Sequence, residues 1–409
     1  MQINYKLKDR FDIAIFIPLV LLILFGLIAI YSSTVNHPLA SGRFQQQVIA
    51  AITAIFVFFI VYSLPQQLFK SFAVTTYIIS ILLLIAVLFV GKTVYGAKSW
   101  LSFGPIGFQP SEIGKLGTIL CLAHWLSYKN RDINNIKDIG IALLIGIVPI
   151  ILILLEPDTG TAIVFVIITL SLLFWSGISL FALFVVLSPG IVVAASLFGT
   201  VTFILSLLFV VVALFLFKRD LFNSATVFVM NLGASFFFDY AFRFLKPHQQ
   251  KRIETFLDPG ADPLGSGYNA LQAKLAIGSG GFWGKGFLQG NQTQLRFIPE
   301  QWTDFIYCVV GEEFGFVGSL LVLILFLIIF IRLLNLSSIA KDNFSVLVII
   351  GVLSLLFSHF AINIGMNVGV TPVIGLPLPF LSSGGSSLLI NMILLGMVMN
   401  IYKNRKQHT

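Results

Sequence analysis

The chain has 409 residues, of which 57% are hydrophobic and only 10% charged, far below the roughly 25% of an average soluble domain. That balance excludes an ordinary soluble globular protein. The formal charge of +8 is scattered over short segments between apolar runs, so nothing resembles a separate basic domain for a nucleic acid. A spanning helix needs about 20 mostly apolar residues. About twelve runs meet that demand, at residues 11–31, 46–64, 71–91, 109–127, 138–155, 159–176, 179–197, 199–217, 223–245, 306–334, 344–365 and 380–402. They predict an all-α polytopic membrane protein with about 12 transmembrane helices. No Ala-x-Ala cleavage site follows the first run, which therefore reads as a retained helix.

Basic residues orient the bundle, because short loops rich in Lys and Arg stay in the cytoplasm. Lys6, Lys8 and Arg10 precede the first run, and Lys129, Arg131 and Lys137 follow the fourth. Lys218 and Arg219 follow the eighth, Arg332 and Lys341 flank the loop after the tenth, and Lys403, Arg405 and Lys406 close the chain. An even number of spans puts all of these on one side, with both termini in the cytoplasm. Cys121 and Cys308 lie in or beside different runs and read as packed thiols rather than a disulfide or a metal pair.

Ionisable groups in a spanning segment cost a few kcal/mol each unless paired, so by default they suggest function. The first such segment is Phe108-Gln109-Pro110-Ser111-Glu112-Ile113-Gly114-Lys115, where Ser111 beside Pro110 suggests a helix start. Glu112 and Lys115 share one helix face, as a structural ion pair or as the lining of a polar cavity that opens outward. Glu156-Pro157-Asp158-Thr159-Gly160-Thr161 joins two runs with hardly a loop, and Asp158 is expected to cap the second.

Residues 246–305 form the only long non-spanning stretch, expected outside the cell. It holds Lys246, His248, Lys251, Arg252, Lys274, Lys285 and Arg296. Either translocation simply tolerates charge in a long loop, or these cations bind an anionic head group such as a phosphate or pyrophosphate. Gly278, Gly280, Gly281, Gly284, Gly286 and Gly290 are expected to let the backbone approach a ligand closely.

Asp304 follows Glu300 at the water–lipid boundary. It reads equally as a cap or first-turn residue of the next helix and as a partly desolvated general base. Glu312 and Glu313 lie one to two turns deeper. Asn363, Asn367, the re-entrant-looking turn Thr371–Pro379 and Ser382-Ser383-Gly384-Gly385-Ser386 are expected to wall the same outward cavity. No His, Cys or carboxylate cluster has zinc spacing, so no metal site is assigned. His124, His248 and His359 stand isolated and read as hydrogen-bonded packing residues. The halves show no internal repeat, which weakens an inverted-repeat transporter.

These residues resemble a known family. Trp100-Leu101-Ser102-Phe103-Gly104 with Phe108-Gln109-Pro110-Ser111-Glu112-x-x-Lys115, then Glu156-Pro157-Asp158-x-Gly160-Thr161, are similar to the RodA/FtsW (SEDS) family of shape, elongation, division and sporulation proteins. So are Asp262-Pro263-Leu264-Gly265-Ser266-Gly267-Tyr268 and Ala276-Ile277-Gly278-Ser279-Gly280-Gly281-Phe282-Trp283-Gly284-Lys285-Gly286. Pro299-Glu300-x-x-Thr303-Asp304-Phe305, Glu312-Glu313-Phe314-Gly315, Asn363-Ile364-Gly365-Met366 and Pro377-Leu378-Pro379-Phe380-Leu381-Ser382-Ser383-Gly384-Gly385-Ser386 complete the set, in order along the chain. Gln289-Gly290-Asn291-Gln292-Thr293-Gln294-Leu295 looks like the RodA, or elongation, branch.

The resemblance implies a peptidoglycan glycosyltransferase of the bacterial cytoplasmic membrane that polymerises lipid II and releases undecaprenyl diphosphate. It implies Asp304 as the essential aspartate, with Trp100, Glu112 and Lys115 as matching site residues. The substrate site would include Arg252, Lys274, Lys285, Arg296, Glu300, Ser382 and Ser383. The leaving diphosphate would be stabilised by these cations or by a divalent ion such as Mg or Mn, and no cofactor is otherwise expected. Implied partners are lipid II, the growing glycan strand, a class B penicillin-binding protein transpeptidase, other elongation-complex membrane proteins and membrane lipids. A lipid II flippase is the rival reading. The expected organisation is one membrane domain over 1–409, an extracytoplasmic loop at 246–305, and a region at 179–245 holding two helices beyond the family's usual ten or so.

Overall fold

Asp12 opens the first membrane helix. Its Oδ1 accepts the Ala14 amide at 3.0 Å, which caps α1 (Ile13–Thr34), and its Oδ2 takes Arg332 Nε at 2.7 Å. Ile17, Leu21, Leu24 and Ile28 form an exposed stripe down this helix. Their spacing of three and four residues is that of a lipid-facing surface. The structure, a computed structural model, describes residues 10–37, 40–94, 97–103, 106–128, 135–217, 221–242, 250–251, 255 and 267–405.

The helices that follow are α2 (Arg43–Ser63), the short α3 (Gln66–Ser71), α4 (Ala73–Val90), α5 (Pro110–Leu126), α6 (Ile136–Leu155) and α7 (Thr159–Trp175). Next come α8 (Leu180–Ser196), α9 (Thr200–Leu216) and α10 (Leu221–Phe242). The chain continues through α11 (Tyr268–Ser279), the single turn α12 (Asn291–Gln294), α13 (Ile306–Ile339), α14 (Asn343–Val368) and α15 (Gly385–Asn404). Each apolar run of the sequence becomes a helix. Among the described residues, seven helices are long and apolar enough to cross a membrane, and α7, α8 and α9 are shorter apolar helices. Pro110 takes the first position of α5, where its missing N–H costs nothing, so the helix starts one residue before Ser111.

A three-stranded antiparallel sheet departs from the all-helical expectation. It lies between α4 and α5: β1 (Lys92–Val94), β2 (Ala97–Phe103) and β3 (Ile106–Phe108), with Lys92 opposite Trp100 and Ser102 opposite Gly107.

The chain forms two compact units, Met1–Ser176 with Tyr268–Thr409, and Gly177–Gly267. In the second, α8, α9 and α10 enclose Val192, Val210, Leu214 and Val227. Asn231 Nδ2 is satisfied inside it by Ser188 Oγ at 3.0 Å and the Val227 carbonyl at 2.8 Å. In the first unit, one end gathers basic groups. Arg332 pairs with Asp12, the Arg10 carbonyl accepts from Tyr62, and Lys403 lies over the Tyr62 ring at 5.0 Å.

Candidate active site

The opposite end is built around the turn before α13. Phe305 occupies the N-cap without a side-chain bond, and the first turn holds no acid. Asp304 is therefore neither the cap nor a first-turn residue of α13. Its half-buried side chain is placed by its backbone. The Asp304 amide bonds to the Glu300 carbonyl at 3.2 Å, and its carbonyl accepts Asn363 Nδ2 at 2.9 Å and Asn367 Nδ2 at 3.1 Å. Asn363 also donates to the Leu376 carbonyl at 2.6 Å. One buried amide thus ties the turn to the non-helical segment 369–384. Gly375, at φ +80°, lies so close that a Cβ there would sit 3.1 Å from Asp304 Oδ2.

Ser382 and Ser383 stitch the same two segments together. Ser382 Oγ donates to the Thr303 carbonyl at 2.6 Å and accepts the Leu378 amide at 2.8 Å, and the Ser383 amide reaches the Trp302 carbonyl at 2.8 Å. Both serines hold backbone in place. Glu300 sits in the left-handed region at φ 52°, and Thr303 Oγ1 reaches its carboxylate at 3.4 Å.

Glu112 and Lys115 form a buried ion pair at 2.8 Å, one turn into α5. His359 on α14 joins it, with Nε2 3.2 Å from Lys115 Nζ and Nδ1 3.1 Å from the Pro377 carbonyl oxygen. His359 is thus a member of a network that reaches the re-entrant segment, where spacing left it isolated.

The glycine-rich loop serves a different purpose from the one expected. α13 is broken at Gly315 (φ 63°, ψ −157°). The loop supplies the bonds the break leaves open. Lys285 and Gly286 amides donate to the Glu312 and Glu313 carbonyls at 3.0 Å each, and Phe316 and Val317 amides reach the Gly281 and Phe282 carbonyls at 2.9 and 3.2 Å. A Cβ on Gly280 or Gly284 would overlap the Gly311 or Glu313 carbonyl oxygen, and one on Gly290 would strike the Glu312 carboxylate. Gly280, Gly284 and Gly290 thus admit the helix, while a Cβ on Gly278 or Gly281 would meet nothing within 4 Å. Lys285 goes to the same scaffold. Its Nζ is 3.0 Å from Glu312 Oε1, and that carboxylate also takes the Gln292 and Thr293 amides and Thr293 Oγ1. The neighbouring Glu313 accepts from Ser32 Oγ at 2.5 Å.

Trp100 on β2 lies against Gly107, whose carbonyl accepts weakly from Ser386 at 3.5 Å. The sheet thereby meets the start of α15. Asp158 caps α7 as expected, accepting the Thr161 amide at 3.0 Å, and takes Gln109 Nε2 at 3.3 Å. Glu156 is fully buried, and neither carboxylate oxygen has a hydrogen-bond partner. Burial, with the Asp158 charge adding to it, pushes its carboxyl up to about 8.

The remaining cations are spread around this end. The Lys274 side chain lies across Gly369 at the end of α14. Arg296 donates to the Asn36 carbonyl. Arg252, Lys246 and His248 fall outside the described residues. The sequence reading passed over Arg43, whose guanidinium lies 5.2 Å over the buried Trp302 ring, and His37, whose ring meets Trp302 edge-on at 4.8 Å. Burial, then the charges of Arg296 and Arg43, pull His37 below its ordinary pKa, with Glu300 opposing them. An isolated Arg on the expected outer side, against the positive-inside bias, was the signal available for Arg43. Among the described residues, no three His, Cys, Asp or Glu side chains are grouped to hold a metal ion.

Comparison with known proteins bears on this geometry. The sequence model of FtsW, RodA and SpoVE proteins, described as "Cell cycle protein", matches residues 12–197 and 180–407. The chain belongs to the FtsW/RodA/SpoVE family. It is 34% identical to the peptidoglycan glycosyltransferase MrdB of Escherichia coli K12, over 99% of this chain and 98% of that one. It is 35% identical to the peptidoglycan glycosyltransferase RodA of Treponema pallidum, over 96% and 97%. Among solved structures, one described as a peptidoglycan synthase complex that coordinates polymerisation and crosslinking matches with TM-score 0.72 and 27% identity, over 97% of this chain and 99% of that one. An aspartate-to-alanine mutant of the Thermus thermophilus rod shape determining protein RodA matches with TM-score 0.65 and 25% identity, over 97% and 99%. Members of this family are thus multi-pass membrane proteins, as this chain is.

Proposed function

We infer that this chain is a peptidoglycan glycosyltransferase that polymerises lipid II into glycan strands on the outer face of the bacterial cytoplasmic membrane during elongation. The observation that carries the reading is the fixing of Asp304 through its own backbone. Asn363, Asn367 and the Ser382–Thr303 bond immobilise the turn, while the cap position passes to Phe305. A carboxylate held this way suits a general base. In the proposed step, Asp304 takes the proton from the 4-hydroxyl of the acceptor sugar. That oxygen bonds to the anomeric carbon of the growing strand as the carbon–oxygen bond to the diphosphate breaks.

Positive charge must meet the departing diphosphate. Arg43, Arg296 and Lys274 are the proposed sources, since Lys285 is committed to Glu312 and the buried Lys115 to Glu112 and His359. Trp100 is proposed to shape the sugar site. The names of the relatives support polymerisation over lipid II transport, and the match to a synthase complex supports a class B penicillin-binding protein as partner. The placement of basic residues supports cytoplasmic termini.

Purified Asp304→Asn protein in detergent is expected to make no glycan strands from lipid II, while its thermal transition stays near that of the wild type. Strand synthesis at the normal rate refutes the assignment.

A further inference from the structure

His359 is only 2% exposed and bridges two elements that the sequence separates widely. Its two neighbours assign its proton. A carbonyl only accepts, so Nδ1, 3.1 Å from the Pro377 oxygen, must be the N–H. An ammonium only donates, so Nε2, 3.2 Å from Lys115 Nζ, must present its lone pair. The ring is neutral, in a single tautomer. Lys115 is then gripped by two acceptors, Glu112 Oε1 at 2.8 Å and His359 Nε2.

The far end of this grip is the segment that frames Asp304. Pro377 follows Leu376, whose carbonyl accepts the same Asn363 amide that holds the Asp304 carbonyl. Leu376 in turn follows Gly375, which faces the Asp304 carboxylate. A continuous chain of bonds therefore runs from Glu112 through Lys115, His359 and residues 375–377 to Asp304.

We propose that His359 is a positioning residue for polymerisation: its neutral imidazole ties the buried Lys115–Glu112 pair to the re-entrant segment and so fixes that segment relative to Asp304. This rests on the glycosyltransferase reading. A lysine paired only with Glu112 would keep its charge but lose its register with the carboxylate. A misplacement of about 1 Å is enough to cost on the order of 100-fold in rate.

The test measures kcat and KM for lipid II polymerisation in detergent. His359→Leu is expected to lower kcat on the order of 100-fold with little change in KM. His359→Gln, whose amide can donate to Pro377 while its oxygen accepts from Lys115, is expected to recover most of that loss. His359→Leu at the wild-type rate, beside an inactive Asp304→Asn, overturns this inference and leaves the function standing. An active Asp304→Asn refutes the general-base role, and wild-type protein that makes no strands removes the function itself. Equal impairment of His359→Gln and His359→Leu would reduce the residue to packing and also overturn the proposal. If His359→Leu yields no folded protein, His359→Phe fills the site without a ring nitrogen and is judged by the same outcomes.

Discussion

The glycine-rich loop at 280–290 and the segment at 369–384 are both non-helical backbone set against membrane helices, yet they are held in opposite ways. The first is bonded backbone to backbone, along the break in α13. The second is bonded largely by side chains, with Asn363, His359 and Ser382 reaching its carbonyls and amides beside a backbone bond from Ser383 to Trp302. Non-helical backbone at this depth must find partners within the protein. Backbone pairing demands that side chains be absent, hence glycine. Side-chain pairing demands specific polar residues on the neighbouring helices, and it fixes the segment at chosen atoms. The first arrangement makes a scaffold, and the second makes a site.

Gly375→Ala should have the largest effect. The new methyl must adopt φ +80° and crowd Asp304 Oδ2, so polymerisation is expected to fall on the order of 100-fold, measured as strand length and rate from lipid II. Gly280→Ala should act on the scaffold alone. Overpacking against the Gly311 carbonyl is expected to cost about 1–3 kcal/mol, seen as a lower thermal transition in detergent with unchanged kcat per folded molecule. A kcat defect larger than the stability defect would break the distinction between the two segments. Ser382→Ala removes one donor and one acceptor from a buried seam and should cost about 1–3 kcal/mol, with a rate loss smaller than that of Gly375→Ala.

The smallest effect on the polymerisation rate is expected at Glu156. Its carboxyl is raised from 4.5 to about 8 in the folded state. A carboxyl raised on folding contributes stability below its unfolded pKa, and that contribution is lost as pH rises through the folded value. Wild-type thermal stability should therefore fall from about pH 4.5 to about pH 8 by a share that Glu156→Gln abolishes. Identical slopes for both proteins would show that the buried acid does not titrate there.

Much of this architecture was legible because charge is costly inside a membrane. The run at 159–176 became Thr159–Trp175, and that at 199–217 became Thr200–Leu216. Asp304, Glu112 and Lys115 stood out as ionisable groups beside apolar runs. The glycines at 280, 284 and 290 correctly signalled close approach, but glycine does not say what approaches. His359 reads from the sequence as a hydrogen-bonded packing residue, and it is one, but its partner Lys115 lies 244 residues away, and no local pattern encodes that pairing. The sheet at 92–108 escaped notice because strands of 3 and 7 residues are too short for an alternation to register.

The break at Gly315 separates two demands that a continuous helix would have to meet together. The long part of α13 below it must match the thickness and composition of the surrounding lipid, and it can tilt to do so. The short part above it carries the Asp304 turn and takes its height from the loop amides on Glu312 and Glu313. Changes in bilayer thickness can therefore be absorbed below the break, while the carboxylate keeps its level.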